Sequence, residues 1–168
     1  WADLRFDFGG APIFYPLRQL HFQNADFASA TFYGPADFFG ATFHGDTSFS
    51  AAQFTADASF HGANFNDWVG FSAAYFAGAA TFSAAHFADV ASFATVTFTG
   101  ETDFSDAVFS AVADFAVASF NSDANFSRLN TTGVASFAAV TFGGEAIFTA
   151  STFHDERSEE RRVGKECV

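Results

Sequence analysis

Phenylalanine recurs along this chain at two intervals. From Phe22 it stands at Phe27, Phe32, Phe38, Phe43, Phe49, Phe54, Phe60, Phe65, Phe71, Phe76, Phe82, Phe87, Phe93, Phe98, Phe104, Phe109, Phe115, Phe120 and Phe126, then at Phe137, Phe142, Phe148 and Phe153. Beyond Phe32 the steps alternate six and five without a slip. One beat is missing: Thr131 stands in the slot, with Leu129 two residues earlier as a candidate substitute, and the register continues past it.

The residue two positions before each Phe is nearly always small, as in Ala25, Ala36, Ala58, Ala80, Ala91, Ala113 and Ala124. The residue between is mostly polar, as in Asp26, Thr31, Ser48, Asn64, Asp103 and Asn125. A helix cannot use this pattern. At about 100° per residue, steps of five and six turn the ring by about 140° and 240°, so the rings never form one stripe. A continuous strand fails as well, because residues five apart face opposite sides. Short extended segments separated by corners satisfy the pattern: each points small-x-Phe inward and its polar residue outward, and the rings meet at the axis of a coil.

At these residues the chain resembles the pentapeptide-repeat proteins, whose consensus A-[DN]-L-x-x takes Leu or Phe at its centre. "NADFASATF", "HGANFNDW" and "DFSDAVFSAV" carry the resemblance, which covers residues 22 to 153. It implies an all-β fold, a right-handed quadrilateral β-helix with four sides per coil. Here every second side is one residue longer, so two fives and two sixes give about 22 residues per coil and about six coils, with the longer sides facing each other. Residues one coil apart should then stack about 4.8 Å apart in a rod about 29 Å long. Burying one Phe is worth roughly 1.5 to 3 kcal/mol, less than the cost of ordering about five residues at 1 to 2 kcal/mol each, so stacking of several coils is obligatory.

Three segments are expected. Residues 1–21, "WADLRFDFGGAPIFYPLRQLH", carry out-of-phase aromatics with Pro12 and Pro16 and read as an irregular first coil or cap; residues 22–153 form the solenoid; residues 154–168 drop the Phe beat and read as a polar tail, disordered, briefly helical or non-native. The formal net charge is -12, and residues before 154 hold 14 of the 19 acidic groups but three of the seven basic ones. That balance disfavours direct binding to nucleic acid or anionic lipid, both of which need Lys or Arg. No apolar run reaches the roughly 18 residues of a membrane-spanning helix, so no membrane insertion is expected of this segment. The single cysteine, Cys167, leaves the redox compartment open, with the cytoplasm favoured.

Signatures of nucleotide binding, zinc hydrolysis and serine hydrolysis are absent, and the expectation is a non-enzyme without cofactor or metal. His21, His44, His61, His86 and His154 occupy different slots and are not expected to stack at the coil repeat. The third residue after Phe on the longer sides gives two columns on opposite walls. One reads Pro35, Asp57, Ala79, Glu101, Asp123, Glu145; the other reads Asp46, Trp68, Val90, Val112, Val134. Stacked carboxylates repel, so the acidic column reads as a solvated corner, or else as a site for Ca²⁺ or a basic protein. The valines read as filling a partly covered bulge, or else as an exposed stripe for a partner or a second copy of the chain. A threonine column suited to ice is broken by Gln53 and Tyr75. The functional expectation is a rigid Phe-cored rod that displays side-chain rows to a protein partner, with homodimerisation open. The alternative, implied by the resemblance, is a DNA-mimicking acidic rod that binds a type II topoisomerase such as gyrase, although the loops and dimerisation module tied to that activity are not recognisable here.

Overall fold

A computed structural model describes residues 6–154, and within them every regular element is a parallel β-strand of two or three residues. Each strand pairs with the strands one coil before and one coil after it. In the regular coils the partners lie 22 residues apart, as in Ala58↔Ala80 and Asn64↔His86. The result is four sheets of seven, seven, six and seven strands wound into a solenoid of about six turns.

The walls follow one another along the chain. Wall 1 includes Thr47–Ser48 and Val69–Gly70, wall 2 Gln53–Phe54 and Tyr75–Phe76, wall 3 Ala58–Ser59 and Ala80–Thr81, and wall 4 Asn64–Phe65 and His86–Phe87. Small-x-Phe points as the pattern requires: Ala58 and Phe60 are buried while Ser59 between them is half-buried. Rings one coil apart lie parallel at the rung spacing, as in Phe49–Phe71 at 4.8 Å and 2°. Across the axis, rings of walls 1 and 3 interlock edge to face, Phe60–Phe71 at 5.3 Å and 86° and Phe71–Phe82 at the same distance and angle. Both geometries place ring edges against ring faces or offset the faces, as the ring quadrupole favours. The Phe rings of walls 2 and 4 fill the flanks, as Phe54 does against Phe60 at 6.0 Å.

The alternation of five and six corresponds to two kinds of corner. After walls 1 and 3 the chain makes a tight turn in which the Phe carbonyl accepts a hydrogen bond from the amide three residues on, as Phe49 O does from Ala52 N at 3.0 Å. The third residue of that turn is left-handed, with glycine at Gly40 and Gly62 but alanine, serine, threonine, valine, aspartate or arginine in other coils. After walls 2 and 4 the corner is one residue wider, and the extra residue belongs to the two outward columns.

Residues 6–21 wind a shorter first coil in which Phe8 stacks on Phe27 at 4.8 Å, and Ile13 and Leu17 pack against the core. Phe22, Val69, Val96 and Leu129 join the buried set, and Thr131 is also buried. The assignment of every repeat Phe from Phe27 to Phe153 to the core needs correction at one end. Phe137 is half-buried, and Phe142, Phe148 and Phe153 are exposed by 38%, 37% and 46%. Phe148 has a stacked neighbour below, Phe126 at 4.8 Å, but among the described residues no ring stacked above it. The expected tail lies outside the described residues apart from His154.

Candidate interaction surface

The wide corner between walls 2 and 3 carries Pro35, Asp57, Ala79, Glu101, Asp123 and Glu145, all exposed, one per rung. Two of its carboxylates tie consecutive rungs together: Ala79 N donates to Asp57 Oδ1 at 2.9 Å, and Glu145 N donates to Asp123 Oδ1 at 2.8 Å. Glycine permits this at Gly78, where a Cβ would lie 2.5 Å from Asp57 Oδ1. Beside the corner, the outward positions of wall 3 are Asp37, Ser59, Thr81, Asp103, Asn125 and Ile147. A groove of about 560 Å³ runs over them, lined on its corner side by Asp57, Glu101 and Asp123. The columns were legible in the sequence. The groove was not, because its depth depends on how far neighbouring columns project, which a one-dimensional repeat does not state.

The diagonally opposite corner, between walls 4 and 1, carries the apolar column. Trp68, Val112 and Val134 are exposed and Val90 is half-buried, so most of this column is a surface stripe and not a covered bulge. Trp68 folds back over wall 1: a Cβ on Gly70 would stand 2.3 Å from the indole Cη2. Together with Asp26, Asp46 and Ser48 it bounds a smaller depression of about 360 Å³.

The histidine expectation needs one correction. His21 and His44 stack at 5.8 Å and 17°. The first coil is a residue short on wall 4, where His21 pairs with Thr42 and Gln23 with His44, so rings in different slots meet diagonally. His61 stacks on Phe39 at 5.4 Å and shares a 2.7 Å hydrogen bond with Ser83 Oγ, while His86 lies 3.3 Å from Ser110 Oγ. Among the described residues no group of three metal-ligating side chains comes together.

Two guanidinium groups stand among the described residues, and both are engaged. Arg18 Nε lies 3.2 Å from Asp37 and its guanidinium covers the Phe39 ring at 5.0 Å. Arg128 donates through Nε and Nη2 to the two carboxylate oxygens of Asp106, both at 2.6 Å. Those hydrogen bonds hold the Asp106 carboxyl below the usual aspartate range and raise the Arg128 guanidinium further above neutrality. Neither arginine is paired with the ridge from Asp57 to Glu145. No helix of the described residues is long and apolar enough to cross a membrane.

No curated protein matches the chain. Residues 27–74 match the family model described as pentapeptide repeats in nine copies. The same strand pairing and the same inward Ala and Phe continue through the coils that follow the matched span. Residues 27–74 are thus pentapeptide repeats, and in the coils that follow the chain stays similar to the pentapeptide-repeat proteins.

Proposed function

We propose that this protein is a non-enzymatic interaction scaffold, a rigid rod whose walls present rows of side chains to a protein partner. The observation that carries this reading is the division of labour within the repeat. From Phe27 to Phe126 each repeat Phe and the small residue two positions before it are buried in the core, and the positions between and beyond them form outward columns at a fixed rung spacing. A solenoid of this kind supports recognition by an extended surface and not by an enclosed cleft. The test replaces the outward residues of one wall at a time and quantifies proteins captured by each variant from extract of the source cells. Loss of a partner from one wall's variant, at an unchanged thermal midpoint, is expected. An identical set of captured proteins for all four variants would remove the reading.

Acidity favours a second reading, mimicry of a nucleic acid towards a DNA-handling enzyme, since 13 carboxylates face two guanidinium groups among the described residues. A gyrase supercoiling assay separates the two. The scaffold reading expects no inhibition at micromolar protein, and potent inhibition would replace it with mimicry.

A further inference from the structure

The last coil closes the described solenoid on an open face. Its strands Ala135–Ser136, Thr141–Phe142, Ala146–Ile147 and Thr152–Phe153 each stand at the edge of their sheet, and none carries a proline or a charged residue, the usual guards of an edge. Between them the rings of Phe137, Phe142, Phe148 and Phe153 form one apolar surface, with neighbouring centroids 5.7 to 6.3 Å apart. One coil below, Phe120 and Phe126 are buried under Phe142 and Phe148, which stack on them at 5.2 and 4.8 Å. The backbone of the face is unsatisfied in an ordered way. On walls 1 and 3 the earlier coil donates to the later, as Phe115 N does to Ser136 O and Phe126 N to Ile147 O. On walls 2 and 4 the earlier coil accepts, as Ala118 O does from Thr141 N and Leu129 O from Thr152 N. One rung on, the corresponding groups are the Phe137 and Phe148 amides and the Val140 and Ser151 carbonyls. Among the described residues none of these four has a hydrogen-bond partner.

Such a face fits an occupant that offers four strand edges around the same square and an apolar centre. The first coil of another copy does not match. Its strands pair Phe6 with Ala25 and Pro12 with Thr31, each 19 residues apart where the last coils repeat at 22, and wall 3 has its first strand only at Ala36–Asp37. The last coil of a second copy matches. Turned about a two-fold axis along a corner-to-corner diagonal, it sets amide walls over carbonyl walls and runs its strands antiparallel to those they meet, so that Phe137 N faces the other copy's Val140 O and Phe148 N its Ser151 O. An axis through opposite walls would set amides on amides. The coil from Thr132 to Phe153 has 22 residues, within the roughly 20 to 30 a side of a standard interface. Its one charged side chain is Glu145, so two acidic molecules repel each other little across this face. We infer that two copies of the chain join end to end through their last coils, rings on rings and strand edge on strand edge. This goes beyond the scaffold reading, because the walls of both copies stay exposed along a rod of doubled length.

Sedimentation velocity of the full chain at micromolar concentration is expected to show a species of twice the chain mass, which returns to a single copy with exposed terminal rings on dilution to nanomolar protein. Phe142→Glu brings like charges into the contact and is expected to weaken association at least about tenfold, whereas Val112→Lys, on the exposed side stripe, leaves it unchanged. Hydrogen exchange covers the case in which Phe142→Glu fails to fold: in the unaltered chain the Phe137 and Phe148 amides are expected to gain protection as concentration rises. A single-copy mass at every concentration, association lost with Val112→Lys but kept with Phe142→Glu, or a ladder of ever longer species would overturn the inference. So would protection of those two amides that does not change with concentration. None of these results bears on the scaffold reading, which stands or falls with the wall variants.

Discussion

Val117 occupies the left-handed position of a tight corner with φ of 61° and is 56% exposed. A β-branched residue is strained there, at a cost of roughly 1 to 2 kcal/mol that glycine avoids. Val117→Gly is therefore expected to stabilise the fold by about 1 kcal/mol, net of the backbone entropy glycine loses, and urea denaturation checks it. A loss of stability would show that the valine makes compensating contacts. The second residue-scale site is the missing beat. Thr131 is fully buried with an unpartnered Oγ1, and Leu129 is buried where most other coils place alanine. The sequence named Leu129 as a substitute for the absent ring because it could be counted into phase. It could not show that the hydroxyl would be left without a partner. Leu129→Ala and Thr131→Phe are each expected to destabilise, one by a cavity and the other by overpacking, while the double variant restores the ring column and recovers most of the loss. Additive single effects in a double-mutant cycle would contradict that coupling.

Rings within a column are interchangeable on paper but not in the folded chain. Phe71 is fully buried between Phe49 and Phe93, whereas Phe148 is 37% exposed. Phe71→Ala is expected to cost about 3 to 5 kcal/mol and Phe148→Ala less than about 2 kcal/mol, measured as unfolding free energies. Equal costs would mean that Phe148 is covered. Between rungs, the Arg128–Asp106 pair bridges neighbouring coils, and its effect has a definite sign with pH. Asp106 has a lowered pKa in the folded state, so the pair's contribution is present above the ordinary aspartate range and is lost as pH falls through the lowered value. Arg128→Met should lower thermal stability slightly on the plateau above the ordinary aspartate range and leave its low-pH end unchanged, so that the low-pH limb flattens; an unaltered limb would show that the exposed pair contributes nothing measurable.

At the scale of the rod, each strand of the described residues pairs with strands of the adjacent coils, so a whole coil should be removable. Deleting residues 71–92 joins Val69 and Gly70 to Phe93 and preserves small-x-Phe across the junction. The shortened chain is expected to retain its β-type circular dichroism with a lower unfolding midpoint, whereas deleting one residue fewer shifts every downstream ring out of phase and should prevent cooperative folding. Equal behaviour of the two deletions would contradict the coil length. By itself the sequence determined the architecture, because side-chain period and coil length are local and repeat in phase from Phe27 to Phe126: which residues face inward, how many complete a circuit, and which outward columns align. Tertiary structure decided what depends on neighbours in three dimensions. It set which terminal rings stay exposed, let His21 meet His44 across a short coil, and deepened wall 3 into a groove between columns. Burial and shape at those places follow from the heights of adjoining rows and the number of coils above and below, quantities that no single repeat contains.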